Sequence, residues 1–307
     1  MTKLHDFLEA YLRTKRALGF KLEDGDGKLR NFVAFMDRQG ATVVTGKLAI
    51  EWAGSSAGPA TWAIRLSAVR TFARYLADLE PRTEIPPTGV FPQHHRPQPH
   101  IYTAEEIEVL LSEIKRWRSR NGFGQWTFHC CIGLLAVTGM RLGEAIRLKR
   151  SDVDLDAGVI SVEESKFGKS RIVPVHHTTA SVLQDYCERR DASPARRLGD
   201  RFFVGERGKG LYKQRVEFVF ITSMRRAGLR GAVGTRGPRI HDLRHTYAVN
   251  TLLRWYEAGD DVDRMLPILS TYLGHTHTRD TYWYLSACPE LMRHAADRLE
   301  SRWGDAV

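Results

Sequence analysis

The sequence predicts a mainly α-helical protein with a small antiparallel β-sheet, folded as two domains. Apolar residues recur at helical spacing near both ends of the chain, alternation around Ile160 predicts a β-hairpin, and a proline-rich stretch separates the two helical parts. With 307 residues, the chain exceeds a typical single domain. We therefore expect an N-terminal helical domain at residues 1–80, a linker at 81–100 and a larger domain at 101–307.

The charge balance is strongly basic. Lysine and arginine together number 46 against 36 aspartates and glutamates, which gives a formal net charge of +10 and a pI near 9.6. Such an excess favours a polyanionic partner, because each neutralised phosphate releases counterions. Charge alone does not distinguish DNA from RNA or from an anionic membrane surface.

Four helices are predicted in the N-terminal domain, at Leu4–Leu18, Lys28–Arg38, Thr45–Ala53 and Ala60–Leu79. On the last of them, three cations alternate with apolar residues, so the helix can bury one face and present charge on the other. A solvated face is the ordinary interpretation of that pattern. The cations are Arg65, Arg70 and Arg74, and the apolar residues are Ile64, Leu66, Val69, Phe72 and Tyr75.

The segment 81–100 contains six prolines and cannot be helical throughout, so it is predicted to be a semi-extended linker. Its adjacent His94 and His95 could suggest a metal site. No convergent ligands accompany them, and we expect neither a metal nor another cofactor.

The C-terminal domain begins with a predicted helix, because Thr103 and Glu106 are spaced as in a capping box. Residues 128–137 are almost entirely apolar and predict a buried helix leading to Arg141. Two alternating segments predict the strands of a hairpin around a Gly-containing turn. These strands are expected at 159–163 and 171–175, a further strand at 201–204, and helices at 178–190, at 216–227 and from Pro289.

The stretch from His241 to Tyr284 gathers groups suited to attack on a phosphodiester. That reaction requires a nucleophile, neutralisation of the charge on the phosphate oxygens, and a proton for the departing 5′ oxygen. Tyr284 is the candidate nucleophile. Arg244 lies three residues after His241, so both side chains can meet one phosphate from the same helix face.

Two further candidates lie upstream. Arg141 follows a Gly-containing turn, and Glu144, three residues later, is its expected ion-pair partner; an isolated pair of this kind is more often a surface salt bridge. Lys166, near the hairpin tip, is the candidate proton donor, because neighbouring cations such as Lys169 and Arg171 lower the pKa of a lysine. Alone, a hairpin-tip lysine is usually a solvated charge or a phosphate contact.

Together these residues resemble the motifs of tyrosine recombinases of the phage integrase type. Each motif is weak alone, but their occurrence in this order is specific. The matching positions are Arg141 in Thr-Gly-x-Arg-x-x-Glu, Lys166 in Lys-x-Gly-Lys-x-Arg-x-x-Pro, His241 and Arg244 in His-x-x-Arg-His, His275 in Leu-Gly-His, and Tyr284 downstream.

The resemblance implies a mechanism that needs neither a metal nor ATP. Tyr284 attacks the scissile phosphate, which gives a 3′-phosphotyrosyl bond and a free 5′ hydroxyl. The remaining implied roles are stabilisation of the pentacoordinate phosphate by Arg141 and Arg244, protonation of the leaving oxygen by Lys166, proton transfer at Tyr284 by His241, and a phosphate hydrogen bond from His275.

The resemblance also implies a fold and partners. The N-terminal helices would form a core-binding (SAM-like) domain that clamps duplex DNA opposite a tyrosine-recombinase catalytic domain. A homotetramer would hold two double-stranded recombination sites, with two protomers on each, and exchange strands through a Holliday junction; accessory recombinases are possible partners. Glu144 and His245 are expected to lie behind the catalytic groups. The resemblance leaves individual DNA contacts open, and the cations that we expect to make them are Arg65, Arg70, Arg74, Lys169, Arg171 and Arg239.

Three other functions would use part of this set of residues. A type IB topoisomerase shares this chemistry but only relaxes supercoils; His241 and the small helical domain favour the recombinase. A DNA-binding regulator without cleavage activity would be expected to lack Arg141, Arg244 or Tyr284. A metallohydrolase using His241 and His245 is disfavoured, because no glutamate lies between them and no third ligand is evident.

The resemblance also bears on the choice between two tyrosines and on the length of the segment before Leu-Gly-His. Tyr282 competes with Tyr284, but the spacing after Leu-Gly-His favours Tyr284, which leaves Tyr282 a packing role. The segment before Leu-Gly-His, including residues 257–261, is longer than is usual in the family and predicts a lengthened loop or helix.

No targeting signal is evident in the sequence. The N-terminus lacks an apolar signal core, and no apolar run is long enough to cross a bilayer. Four cysteines without metal-binding spacing predict reduced thiols. We therefore expect a cytoplasmic protein associated with the nucleoid. The cysteines are Cys130, Cys131, Cys187 and Cys288.

Overall fold

The computed structural model describes residues 3–20, 22–55, 58–92, 98–119, 122–163, 170–192 and 199–304. The chain divides into two compact units, Met1–Pro97 and Gln98–Val307, so the division falls inside the proline-rich segment. Part of that segment packs on the first unit, because Arg70 donates hydrogen bonds to the carbonyl oxygens of Pro86 and Pro87. Phe91 packs against the same core.

The first unit contains the four predicted helices. They are α1, Lys3–Ala17; α2, Glu23–Arg38; α3, Gly46–Gly54; and α4, Pro59–Ala77. Helix α2 begins at Glu23 rather than at Lys28, in spite of the glycines in its first turns. Asp26 forms ion pairs with Arg16 and Arg30, which stabilises this early turn.

The core of the first unit is organised around Trp52. Phe32 meets its ring edge-on with 5.1 Å between centroids, and Asn31 accepts a hydrogen bond of 2.9 Å from the indole nitrogen. The prediction that Ile64 faces this core is wrong, because its side chain is 58% exposed. Ile64 lies two residues before the buried Leu66, and that spacing points to the opposite side of a helix.

The second unit is also mainly helical. Its helices are α5, Ala104–Lys115; α6, Phe123–Thr138; α7, Leu142–Ala145; α8, His177–Ala192; α9, Lys213–Arg226; α10, Asp242–Glu257; α11, Val262–Leu273; α12, Arg279–Ala287; and α13, Pro289–Gly304. Helix α6 is nearly continuous apolar sequence and is surrounded by α5, α8 and α10. Its buried position explains why it can be apolar on every side.

The predicted hairpin forms part of a three-stranded antiparallel sheet. Strands β1, Val153–Asp154; β2, Val159–Val162; and β3, Arg171–Pro174, lie in the order β1-β2-β3, and Val162 pairs with Arg171. The hairpin is confirmed, whereas the two-residue β1 was not predicted. The predicted strand at 201–204 is wrong: this segment makes only isolated bridges through Arg201 and Val204.

The long segment before Leu-Gly-His is helical. Helix α10 continues to Glu257, and α11 begins at Val262 after a short turn. Asp261 caps α11 by accepting a hydrogen bond from the backbone nitrogen of Arg264. No helix in the described ranges is long and apolar enough to cross a membrane.

Replacement of Thr103 by alanine tests the predicted capping box, which is present. The Thr103 hydroxyl accepts a hydrogen bond of 3.2 Å from the Glu106 amide, and the Glu106 carboxylate accepts one of 3.0 Å from the Thr103 amide. We expect Thr103→Ala to cost about 1 kcal/mol and to lower the thermal midpoint by about 2–4 °C. Ser112→Ala, at an exposed position in the last turn of α5, should cause no loss, since alanine is the better helix former. Equal losses in both variants would contradict the capping role.

Candidate active site

The buried Arg244 joins three elements of the second unit. It lies in the first turn of α10 and is only 2% exposed. Its Nη1 donates to the carbonyl oxygen of Gly139, after α6, at 2.9 Å, and its Nη2 donates to that of Leu273, the last residue of α11, at 2.6 Å. The last carbonyls of a helix lack internal partners and form the negative end of its dipole, so a cation is stabilised there.

Arg141 and Arg171 bind the same helix end. Nη2 of Arg141 donates to the carbonyl oxygen of Gly274 at 2.9 Å, and Nε of Arg171 donates to that of Tyr272 at 2.6 Å. Both guanidiniums also bind the buried Glu144, Arg141 at 2.9 Å and Arg171 through two bonds of 3.1 and 2.8 Å. The ion pair that Arg-x-x-Glu predicts is therefore present, with a second arginine attached to it.

Two glycines make this arrangement possible. Gly139 and Gly274 end α6 and α11 with φ of 62° and 68°, a left-handed conformation that glycine adopts without strain. A Cβ on Gly139 would lie 2.7 Å from the ring of Tyr247, and one on Gly274 would lie 3.0 Å from Nη1 of Arg171. Both positions therefore need glycine for backbone conformation and for space.

The electrostatics of the site follow from burial. Burial by itself raises the pKa of Glu144, but the hydrogen bonds and charges of Arg171 and Arg141 outweigh it and lower that pKa to about 2. Burial, together with the nearby charge of Arg141, lowers the pKa of Arg244 to about 10. The Glu144 carboxylate is thus ionised at neutral pH, and the positive charges of Arg141 and Arg244 are held close together.

His241 lies at the start of α10, directly before Asp242. The residue is exposed to solvent, while its imidazole meets the ring of His245 edge-on with 4.8 Å between centroids. Partial loss of hydration, together with the positive charge of Arg244, lowers the pKa of the imidazole to about 4. His241 is therefore neutral at physiological pH and has a nitrogen able to accept a proton.

The Tyr284 ring lies between two histidines. It stacks on His275 with 6.1 Å between centroids and contacts His245 at 5.4 Å, while His245 also contacts His241 at 4.8 Å. The orientation of His275 is set by a hydrogen bond of 2.8 Å between its Nδ1 and the hydroxyl of Thr281. The Tyr284 side chain also acts electrostatically on Arg244, so all these groups share one region.

Tyr284 and Tyr282 differ sharply in exposure. Tyr284 is 2% exposed, whereas Tyr282 is 48% exposed. The packing role predicted for Tyr282 is therefore wrong. Two residues on a helix differ by about 200° in direction, so only one of the two tyrosines can face the interior of the unit.

Several predicted DNA contacts have partners inside the protein. The guanidinium of Arg65 lies 3.9 Å over the ring of Trp52 and donates to its carbonyl oxygen, and Arg70 binds the proline carbonyls described above. Arg239 pairs with Asp242 at 2.7 Å but stays partly exposed. Arg74 is exposed on α4. Lys166 and Lys169 lie outside the described residues.

Tyr102 lies in no sequence motif but contacts the segment that carries His241. Its backbone nitrogen donates to the hydroxyl of Thr246 at 2.9 Å, and its own hydroxyl donates to the carbonyl oxygen of Arg239 at 3.0 Å. The start of the second unit is thereby attached to the segment that carries His241. These contacts join residues more than a hundred positions apart, and no local pattern in the sequence indicates them.

The described residues contain no group of three or more His, Cys, Asp or Glu side chains placed to hold a metal ion. The four cysteines are free thiols, and three of them are buried. Burial raises the pKa of Cys130 and of Cys131 to about 12, so both are protonated packing residues.

Known proteins that are similar to this chain include integrases and recombinases. The putative integrase/recombinase y4rB of Sinorhizobium fredii is 46% identical over 312 residues and 99% of both chains. The structure of the Tn1549 transposon integrase with transposon right-end DNA matches 97% of this chain and 99% of its own, with a TM-score of 0.70 and 17% identity. A lambda integrase tetramer bound to a Holliday junction matches 92% of this chain and 76% of its own, with a TM-score of 0.62 and 19% identity. At these identities both structures show a shared fold.

With these relatives, the fold and the tyrosine-containing site define a tyrosine recombinase, an enzyme that cleaves and rejoins DNA. The chain belongs to the phage integrase family, whose profile matches residues 101–290. Its activity is site-specific DNA recombination.

Replacement of Gly274 by alanine should disturb the arginine cluster. The change combines the strain of a left-handed alanine, about 1–3 kcal/mol, with a contact of 3.0 Å to Nη1 of Arg171. Gly259→Ala is the matched control, since Gly259 has φ of 75° with nothing within 4 Å of a Cβ. We expect Gly274→Ala to lower the free energy of unfolding in urea more than Gly259→Ala. Equal losses would show that the close approach is unimportant.

Replacement of His241 by glutamine should make the protein less sensitive to acid. The folded protein protonates His241 only near pH 4, whereas the unfolded chain binds that proton near its ordinary pKa of 6.5. Neutral His241 therefore contributes fully to the free energy of unfolding of the wild type above pH 6.5. That contribution is lost as the pH falls from 6.5 towards 4. Urea unfolding at about pH 7 and about pH 5 should show the variant gaining relative to wild type at the lower pH. If the difference in free energy of unfolding between variant and wild type is the same at both pH values, the pKa of His241 is not lowered in the folded protein.

Proposed function

We propose that Tyr284 is the nucleophile of this recombinase and that Arg141 and Arg244 bind the scissile phosphate. The observation that supports this assignment is the meeting of both guanidiniums with the rings of His275 and Tyr284 around the C-terminal end of α11. The two arginines have backbone partners that fix their orientation before DNA arrives. Such preorganisation lowers the barrier, because no reorganisation is needed as charge develops.

The charge of the cluster suits a phosphodiester. Arg141, Arg171 and Arg244 bring three positive charges against the single carboxylate of Glu144. A phosphodiester carries one negative charge, and more charge spreads over its oxygens in the pentacoordinate state. The excess of positive charge therefore favours the transition state, and the planar guanidinium matches phosphate oxygens with paired hydrogen bonds.

We propose that strand cleavage exchanges one bond to phosphorus for another. The Tyr284 oxygen forms a bond to phosphorus while the bond from phosphorus to the 5′ oxygen breaks, which leaves a 3′-phosphotyrosyl link. The phenolic proton goes to neutral His241, and the ring of His245 contacts the rings of both His241 and Tyr284. Lys166, outside the described residues, gives the 5′ oxygen its proton. His275 donates a hydrogen bond to the phosphate.

Tyr284 is almost completely buried, which bears on when it reacts. With 2% exposure, its hydroxyl is not accessible to a DNA phosphate in this conformation. We propose that binding of the recombination site shifts α12 and exposes Tyr284. Cleavage would then depend on correct DNA binding, and the free protein would not attack arbitrary duplexes.

The proposed assembly is a homotetramer on two duplex sites, with two protomers on each and a Holliday junction as intermediate. The lambda integrase structure, a tetramer on a Holliday junction, supports it by analogy of fold. We propose that the first unit clamps the DNA, with Arg74 among its exposed cations, and that the enzyme acts in the cytoplasm at the nucleoid. Accessory recombinases are compatible with this assembly.

Replacement of Tyr284 by phenylalanine should abolish covalent attachment to DNA. The probe is a set of duplexes selected by the protein from a pool with a randomised central segment. Each is nicked so that the short fragment with the free 5′ hydroxyl diffuses away after cleavage. Wild type and Tyr282→Phe should give a protein-DNA band on denaturing gels, with EDTA present, because removal of one hydroxyl from an exposed tyrosine leaves the nucleophile intact. Tyr284→Phe should give none.

The result has a clear alternative outcome. If Tyr282→Phe alone loses the band, the nucleophile is assigned to the wrong tyrosine. If wild type binds the selected duplexes but forms no adduct, the proposed chemistry is wrong and the protein binds DNA without cutting it. Relaxation of supercoiled plasmids that lack any selected sequence would favour topoisomerase activity.

A further inference from the structure

Arg171 is a buried cation whose contacts differ from those of a DNA-binding residue. It is the first residue of β3, and its side chain is 7% exposed. Three of its nitrogens donate within the protein, two to Glu144 and one to the carbonyl oxygen of Tyr272. The charge of Arg171 is therefore directed at a carboxylate of the protein, whereas Arg244 donates to two neutral carbonyl oxygens, which leave its charge uncompensated.

Glu144 links Arg171 to Arg141, one of the two arginines proposed to bind the phosphate. Its carboxylate accepts two bonds from Arg171, one from Nη1 of Arg141 and one from the Arg141 backbone nitrogen at 2.9 Å. Arg171 therefore neutralises much of the carboxylate. Arg141, whose side chain is more exposed, uses one guanidinium nitrogen for Glu144 and another for Gly274.

We propose that Arg171 is a positioning residue for the strand-cleavage reaction, resting on the proposed function of Arg141 and Tyr284. Arg171 donates hydrogen bonds to Glu144 and to the end of α11, so Arg141 can bind the phosphate in the correct orientation. It also attaches β3 to the helix end that precedes His275. The hairpin is thereby held in a fixed position relative to Arg141 and Arg244.

Loss of Arg171 has a specific consequence for Arg141. Without Arg171, the buried carboxylate keeps a single charged partner, so it draws both guanidinium nitrogens of Arg141 towards itself. Arg141 then has fewer N–H donors directed at the phosphate. Misplacement of a reacting group by about 1 Å lowers the rate by about a hundredfold. The defect falls on the cleavage step, and affinity for DNA is retained.

The test compares binding and cleavage in Arg171→Met, with the selected nicked duplexes as probe. We expect an unchanged dissociation constant and salt dependence, while single-turnover adduct formation slows by about a hundredfold. Arg171→Lys should recover part of the rate, because a lysine keeps the charge but not the forked geometry. Ile172→Ala, at the neighbouring 65% exposed position of β3, should behave as wild type.

A double variant separates positioning from ordinary loss of structure. If the unneutralised carboxylate causes the defect, Arg171→Met/Glu144→Gln should cleave faster than Arg171→Met alone, because no charge remains to draw Arg141 away. A general loss of packing predicts that the double variant is slower. Thermal unfolding of each variant shows whether it is folded at the assay temperature. If Arg171→Met is unfolded there, Arg171→Lys takes its place in the comparison.

Three results would overturn the proposal. Weaker binding in Arg171→Met with a salt slope smaller by about 1 would make Arg171 a phosphate contact. Unchanged binding and cleavage would remove any role in positioning. A double variant slower than the single variant would assign the effect to packing. Failure of wild type to form an adduct is a different outcome, since it rejects the proposed function on which this inference rests.

Discussion

Three guanidinium groups bind carbonyl oxygens at the C-terminal end of α11, and the proposed active site of this recombinase depends on that interaction. Arg141 comes from the turn after α6, Arg171 from β3 and Arg244 from the start of α10. The end of one helix thereby fixes three other elements at once. A helix C-terminus suits this purpose, because its free carbonyls accept hydrogen bonds and its dipole favours positive charge. Burial strengthens each of these bonds.

The same arrangement gives the site its chemical character. Holding several cations together around one carboxylate is unfavourable in the absence of an anion, as the lowered pKa of Arg244 indicates. In the proposed mechanism, a DNA phosphate relieves that repulsion, so the energy of binding is directed at the atom that reacts. The charge of Arg244 also helps to keep His241 neutral, as its proposed role in proton transfer requires. One cluster would thus prepare both of the proposed steps, phosphate binding and proton transfer.

Much of the local structure around the candidate site was predictable, because the motifs are short and their spacing is specific. The Arg141–Glu144 pair, the hairpin and the helix that carries Arg244 all follow from local spacing. The DNA contacts predicted from charge were less successful. Arg65 and Arg171 were chosen because they are cations, but both bind groups within the protein. A sequence shows that a charge is present and does not show what lies opposite it after folding.

The sequence by itself determined the two helical units, the β-hairpin and the set of residues available for phosphodiester chemistry, because helical periodicity, strand alternation and residue chemistry are local properties. Only the tertiary structure decided which groups meet. The exposure of Tyr282, the burial of Tyr284 and the attachment of Tyr102 to the segment before His241 depend on how distant elements pack. The role of Gly274 belongs to both levels: its left-handed turn ends a helix locally, whereas the space it leaves is filled by Arg171 from a distant strand.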